Sequence, residues 1–73
     1  MGRLRILSGQ QLCRILEKQG FTEVRRRGSH IIMQCKREGT TVTVPVPNHG
    51  EIKIGTMLGI IRQSGVPRRE FEE

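Results

Sequence analysis

The stretch TEVRRRGSHIIMQCKREGTTVTVPVP, residues 22–47, decides the fold. It holds three runs of strand character, separated by Gly28-Ser29 and Glu38-Gly39. With Gly28-Ser29 as a two-residue hairpin loop, Arg27 faces His30, Val24 faces Met33 and Thr22 faces Cys35. With Glu38-Gly39 as a second such loop, Cys35 faces Val42, Met33 faces Val44 and Ile31 faces Val46. The two placements are independent, and they agree. Val24, Ile31, Met33, Cys35, Val42, Val44 and Val46 all land on one face. A slip of one residue in either loop would set valines against polar side chains. The pattern predicts a three-stranded antiparallel meander.

The same parity puts Arg25, Arg27, His30, Ile32, Gln34, Lys36, Thr41 and Thr43 on the other face. That face is mostly polar and cationic, as expected of a small antiparallel sheet with one side solvated. Pro45 and Pro47 have no N–H for a ladder, so the third strand is an edge.

Helical patterns flank the meander. Ser8 reads as an N-cap, and Gln11 three residues later completes a capping box. Leu12, Ile15 and Leu16 share a helical face over about 9–19. Gly20 offers the left-handed position after the helix, and Phe21 folds back as its apolar partner. After the loop Asn48-His49-Gly50, a second helix starts near Gly55-Thr56, with Thr56 as its N-cap. Met57, Ile60, Ile61 and Ser64 form its stripe, helped by Leu58. Gly59 sits inside it, a place for close approach to a neighbour. Gly65 ends it, and Val66-Pro67 blocks continuation. Arg68 to Glu72 makes a final turn pinned by Phe71. The expected fold is α+β in the order α-β-β-β-α, with both helices on the apolar sheet face.

At 73 residues the chain reads as one domain, residues 1–73. Hydrophobic residues make up 34%, enough for one sheet face and two helix stripes. The formal charge of +6 favours a polyanionic partner without choosing among nucleic acid, membrane surface and acidic protein. Cys13 and Cys35 form no C-x-x-C pair and read as free thiols, which fits a reducing cytoplasm. No apolar run approaches a membrane span. No Walker A loop, G-x-S-x-G motif or metal-ligand cluster is present, so neither cofactor nor metal is expected. The two aromatics, Phe21 and Phe71, suit the core better than a base-stacking platform.

Two histidines carry the candidate chemistry. An imidazole exchanges protons near neutral pH. Cleaving RNA needs a base for the ribose 2′-OH, an acid for the leaving oxygen and positive charge on the phosphorane-like transition state. His30 suits the base or the acid. Arg25 and Arg27 are placed to bind phosphate through their guanidinium forks, and Ser29 is a nearby hydroxyl. Lys36 extends the cationic face. His49 has the parity to approach His30 from beyond Pro47. Lys53, before the second helix, is a further anion contact. The plain alternatives are a solvated strand histidine, a loop histidine without a role, and an arginine run that defends an edge strand.

These residues also form a known ordered set. Ser8 to Phe21 resembles the opening helix of the HicA family, and Gly28-Ser29-His30 is similar to that family's Gly-Ser-His signature. Thr43 to Thr56 and Ile60 to Gly65 resemble its C-terminal half. The likeness spans about residues 7–71. It implies a toxin of bacterial and archaeal toxin–antitoxin pairs, with a double-stranded-RNA-binding-domain-like fold. It further implies cleavage of mRNA through the Gly-Ser-His histidine, here His30, and silencing by a HicB antitoxin that covers the region. No membrane partner or small-molecule cofactor is implied. Gly59 departs from the longer residue expected mid-helix. A non-catalytic RNA-binding module of the double-stranded type is the competing class. Such modules carry lysines at the start of the last helix, and residues 55–59 have none. A toxin degraded to a protein-binding partner is a third class, and no lesion at Gly28, Ser29 or His30 suggests it.

Overall fold

The computed structural model describes residues 2–73. In chain order the elements are helix α1 (Gly9–Lys18), strands β1 (Thr22–Arg27), β2 (His30–Arg37) and β3 (Thr40–Pro47), helix α2 (Ile54–Ser64) and a 3-10 turn (Arg68–Phe71). The sheet is antiparallel with order β1-β2-β3, so the proline-bearing β3 is an edge, as expected.

Both turns are the two-residue loops expected, closed by Arg27 opposite His30 and Arg37 opposite Thr40. Glu38 and Gly39 both have positive φ, 49° and 80°, as a type I′ hairpin requires. In the first loop only Gly28 is positive, at 57°, the pattern of a II′ turn with glycine leading. The β2–β3 register is the expected one throughout, with Ile31 opposite Val46, Met33 opposite Val44 and Cys35 opposite Val42.

β1 corrects the parity argument. A bulge at Val24 shifts its first half, so Glu23 faces Met33 and Thr22 faces Gln34. Val24 leaves the core face and is exposed. Strand residues three apart normally point to opposite faces. The extra residue puts Glu23 and Arg26 on the same side, where they pair at 3.0 Å. Phe21, buried just before β1, supplies apolar cover at this end of the strand. Beyond the bulge the expected pairing resumes, with Arg25 opposite Ile32 and Arg27 opposite His30.

α1 begins with the full capping box. The Gln11 amide donates to Ser8 Oγ at 3.1 Å, and the Ser8 amide donates to Gln11 Oε1 at 2.9 Å. It ends in a complete Schellman motif. Gly20 takes φ 99°, its amide donates to the Glu17 carbonyl, and the Phe21 amide donates to the Leu16 carbonyl. Leu12, Cys13 and Leu16 are buried, and Ile15 packs at the margin.

α2 starts at Ile54, with Lys53 as N-cap, and not at Thr56. The Ile52 amide is held by the Leu7 carbonyl at 2.8 Å with Ile52 buried, so the chain can turn into a helix straight afterwards. A lysine offers the free amides no acceptor, and α2 has no side-chain cap. Met57, Ile60 and Ser64 face inward, whereas Leu58 is exposed. Gly59 does not serve close helix packing: a Cβ built there meets nothing within 4 Å. Its helix cost against Ala, about 1 kcal/mol, is therefore not offset by a packing contact.

The core unites Ile31, Met33, Val44 and Val46 with side chains of both helices, so both pack on one sheet face. Phe71 is fully buried in it. Leu4 bridges to Glu72, and the Arg5 amide donates to the Phe71 carbonyl, so residues 3–5 run antiparallel to residues 71–73.

Candidate functional site

His30 is the first residue of β2, fixed by the Gly28-Ser29 turn on one side and by Pro47 of β3 on the other. The Ser29 carbonyl accepts from the Asn48 amide at 2.6 Å, which carries the β2–β3 pairing one residue past the strand end. The imidazole is therefore exposed on a backbone tied down from both neighbours.

The arginine run divides by face. Arg26 donates from Nε to Glu23 Oε2 at 3.0 Å and from Nη2 to Oε1 at 3.5 Å. That carboxylate hydrogen bond, with its charge, raises the Arg26 pKa further. Arg25 and Arg27 lie across the sheet on the His30 face, both exposed. Among the described residues neither takes part in an ion pair. The bulge thus neutralises one arginine of the run and leaves the two beside His30 uncompensated.

The open face is not wholly polar. Ile32, between Arg25 and Pro45 in register, is only 6% exposed. Gln34 donates to Thr43 Oγ1 at 3.2 Å further along.

The remaining site candidates are distributed less compactly than their sequence suggests. Lys36 shares the face but stands opposite Thr41, six residues along β2 from His30, or about 20 Å away. His49 and Lys53 line a separate groove with Glu51, Ile52, Pro47 and Thr56. His49 is not in the groove that holds His30, although Pro47 and Thr56 border both. Its carbonyl accepts from the Gly9 amide at 2.9 Å, which anchors the loop to the start of α1. The Glu51 carboxylate in the same groove reduces its pull on an anion.

The groove holding His30 contains residues that sequence reading left unassigned. It runs between Pro45 and Pro47 of β3 and Thr56, Gly59, Ile60 and Gln63 of α2, as an open cleft of about 270 Å³. The one sequence signal for it was Gly59 in mid-helix.

Among the described residues, no three or more His, Cys, Asp and Glu side chains gather as they would to hold a metal ion. No helix among them is long and apolar enough to cross a membrane. Both cysteines are free thiols, Cys13 buried and Cys35 half-buried. Burial pushes the Cys13 thiol up to about 11, with the Glu23 and Glu17 carboxylates adding to the rise.

Residues 9–66, most of the chain, match the family model described as HicA toxin of bacterial toxin-antitoxin. No curated protein matches the chain.

Proposed function

We propose that this chain, which belongs to the HicA toxin family, is an endoribonuclease that cleaves mRNA with His30 as general acid or base. The observation that carries the reading is the exposed His30 at a pinned strand end, with Arg25 and Arg27 unpaired on its face. The arrangement supplies one proton-transfer group and the positive charge, the substrate supplies its own hydroxyl, and water carries the second proton. A base takes the 2′-OH proton, the 2′ oxygen attacks phosphorus, and the bond to the 5′ oxygen breaks as an acid returns a proton to it. Guanidinium forks neutralise the charge on the phosphorane-like oxygens. Ser29 beside His30, and Lys36, His49 and Lys53 away from it, serve as contacts to the RNA backbone. The reaction runs without a metal ion or cofactor.

The partners are mRNA and an antitoxin of HicB type, which would block cleavage by covering the face that carries His30. The site of action is the cytoplasm, which suits two free thiols. An acidic antitoxin would be steered to this basic chain, and its association rate would then fall with salt.

One observation favours a second reading. With α2 starting at Ile54, Lys53 stands at the start of the last helix, where double-stranded RNA-binding modules place cations. It is a single lysine, not a cluster, so the binding-only reading ranks second.

The test is cleavage of a labelled single-stranded RNA in EDTA, beside the same RNA carrying a 2′-deoxy sugar at the cut position. The nuclease reading expects a cut with a 2′,3′-cyclic phosphate end in the first and no cut in the second. Equal cutting of both would rule out attack by the 2′-OH. Binding of both with no cutting would leave the binding module.

A further inference from the structure

We propose that the groove between β3 and α2 is a nucleobase-binding site, and that Gln63 reads the base next to the scissile phosphate. The proposal rests on the ribonuclease reading only in the word scissile; the groove as a base site stands or falls separately.

The lining argues for a neutral, flat ligand. Pro45, Pro47, Ile60 and Gly59 supply apolar surface, and Thr56 and Gln63 are the only neutral polar side chains. His30 is the one titratable group among the lining residues, so a phosphate would find no guanidinium or ammonium there. The cations lie outside, with Arg25 and Arg27 on the adjoining sheet face. A strand whose phosphates follow those arginines past His30 would bring its next base to the groove. About 270 Å³ lies below the usual range for drug-sized ligands and suits one ring system.

Gly59 is the second, independent observation. A glycine inside a helix is unfavourable, and here no neighbour demands it, since a Cβ would meet nothing within 4 Å. What the missing side chain leaves open is the groove itself. A longer residue at this position, one turn before Gln63, would project into the space beside His30.

Gln63 supplies the means of reading. Its amide is both donor and acceptor, the combination that pairs bidentately with an adenine edge. Splayed single-stranded bases offer such edges freely. The Gln63 side chain makes no hydrogen bond within the protein among the described residues, so it is available to a ligand.

The experiment has two arms. In the first, wild type, Gln63→Ala, Gly59→Ala and Gly59→Leu are given a random-sequence RNA pool, and cut positions are read by sequencing. In the second, a short single-stranded RNA is titrated into 15N-labelled protein, and the Gln63 side-chain and Gly59 backbone amides are followed. The expected result is a base preference beside the cut that Gln63→Ala flattens by about tenfold. Gly59→Leu should lose cleavage while remaining folded by circular dichroism, with Gly59→Ala falling between it and wild type. Both amides should shift on titration, and less with an RNA abasic at that position. Bound RNA with neither amide moving, or cutting by Gly59→Leu at the wild-type rate and preference, would overturn the base site and leave the ribonuclease reading intact. Shifted amides with no cleavage by wild type would sustain the base site and remove the ribonuclease.

Discussion

Gly9 lies against the backbone of Pro47 so closely that a Cβ would overlap the Pro47 carbonyl oxygen and stand 3.1 Å from Asn48 Cα. The Gly9 amide then reaches the His49 carbonyl at 2.9 Å. The first turn of α1 thus fixes the end of β3, and with it the strand that faces His30.

In an ordinary helix Gly→Ala is stabilising by a fraction of a kcal/mol. At Gly9 the sign should reverse, because the obstacle is backbone that cannot swing away. Gly9→Ala should cost about 1–3 kcal/mol, the usual penalty for overpacking, read as a lower urea midpoint. A variant as stable as wild type would show that the close approach is not maintained in solution.

The division of the arginine run predicts unequal effects on RNA affinity. Arg25→Ala and Arg27→Ala should each weaken binding to every RNA sequence and lower the salt slope by about 1. Arg26→Ala should change both far less, since its guanidinium is already held by Glu23. Glu23→Gln should leave stability nearly unchanged, as expected for an exposed pair. Equal losses from all three arginines, in filter binding at several salt concentrations, would contradict the assignment.

Arg37 joins the two helix ends. Its guanidinium sits 5.4 Å from the Phe21 ring centroid and donates from Nη1 to the Ser64 carbonyl at 3.1 Å. Arg37→Ala should destabilise by about 1–2 kcal/mol through both contacts, without altering cleavage at a temperature where the variant is folded. Chemical denaturation and a cleavage assay together check it.

Cys13 carries a pH signature. Its thiol is raised from 9.0 to about 11 in the folded chain, mainly by burial. Between those values the unfolded chain has released the proton and the folded one has kept it. The stability contributed by the neutral thiol is thus complete below pH 9 and is lost as the pH rises towards 11. Stability of wild type should fall over that window, and Cys13→Ala should fall less. At pH 8 iodoacetamide should modify the half-buried Cys35 well before Cys13. Equal rates would show that α1 opens readily.

The β2–β3 pairing was legible because alternation and turn chemistry are local, and both led to the same register. The Schellman end of α1 was legible for a similar reason: Gly20-Phe21 directly follows the helical stripe. The bulge was not, because Val24 looks like a core residue and no local rule weighs it against a Glu23–Arg26 pair. The start of α2 was misplaced by preferring Thr56 as a cap, whereas the tie of Ile52 to Leu7 spans most of the chain. His30 and its two arginines followed from parity. The distance to Lys36 follows from spacing along β2, whereas the place of His49 in the adjoining groove, and the groove along Gly59, depend on how α2 meets β3, a packing result that spacing alone does not contain.

The measurement that bears most directly on function is the rate at which wild type and His30→Ala cut a labelled single-stranded RNA in EDTA, with circular dichroism to show both folded. Loss of a general acid or base predicts a fall of about 10²–10⁴-fold with RNA binding retained. A folded His30→Ala that cuts at the wild-type rate would contradict the assignment of His30.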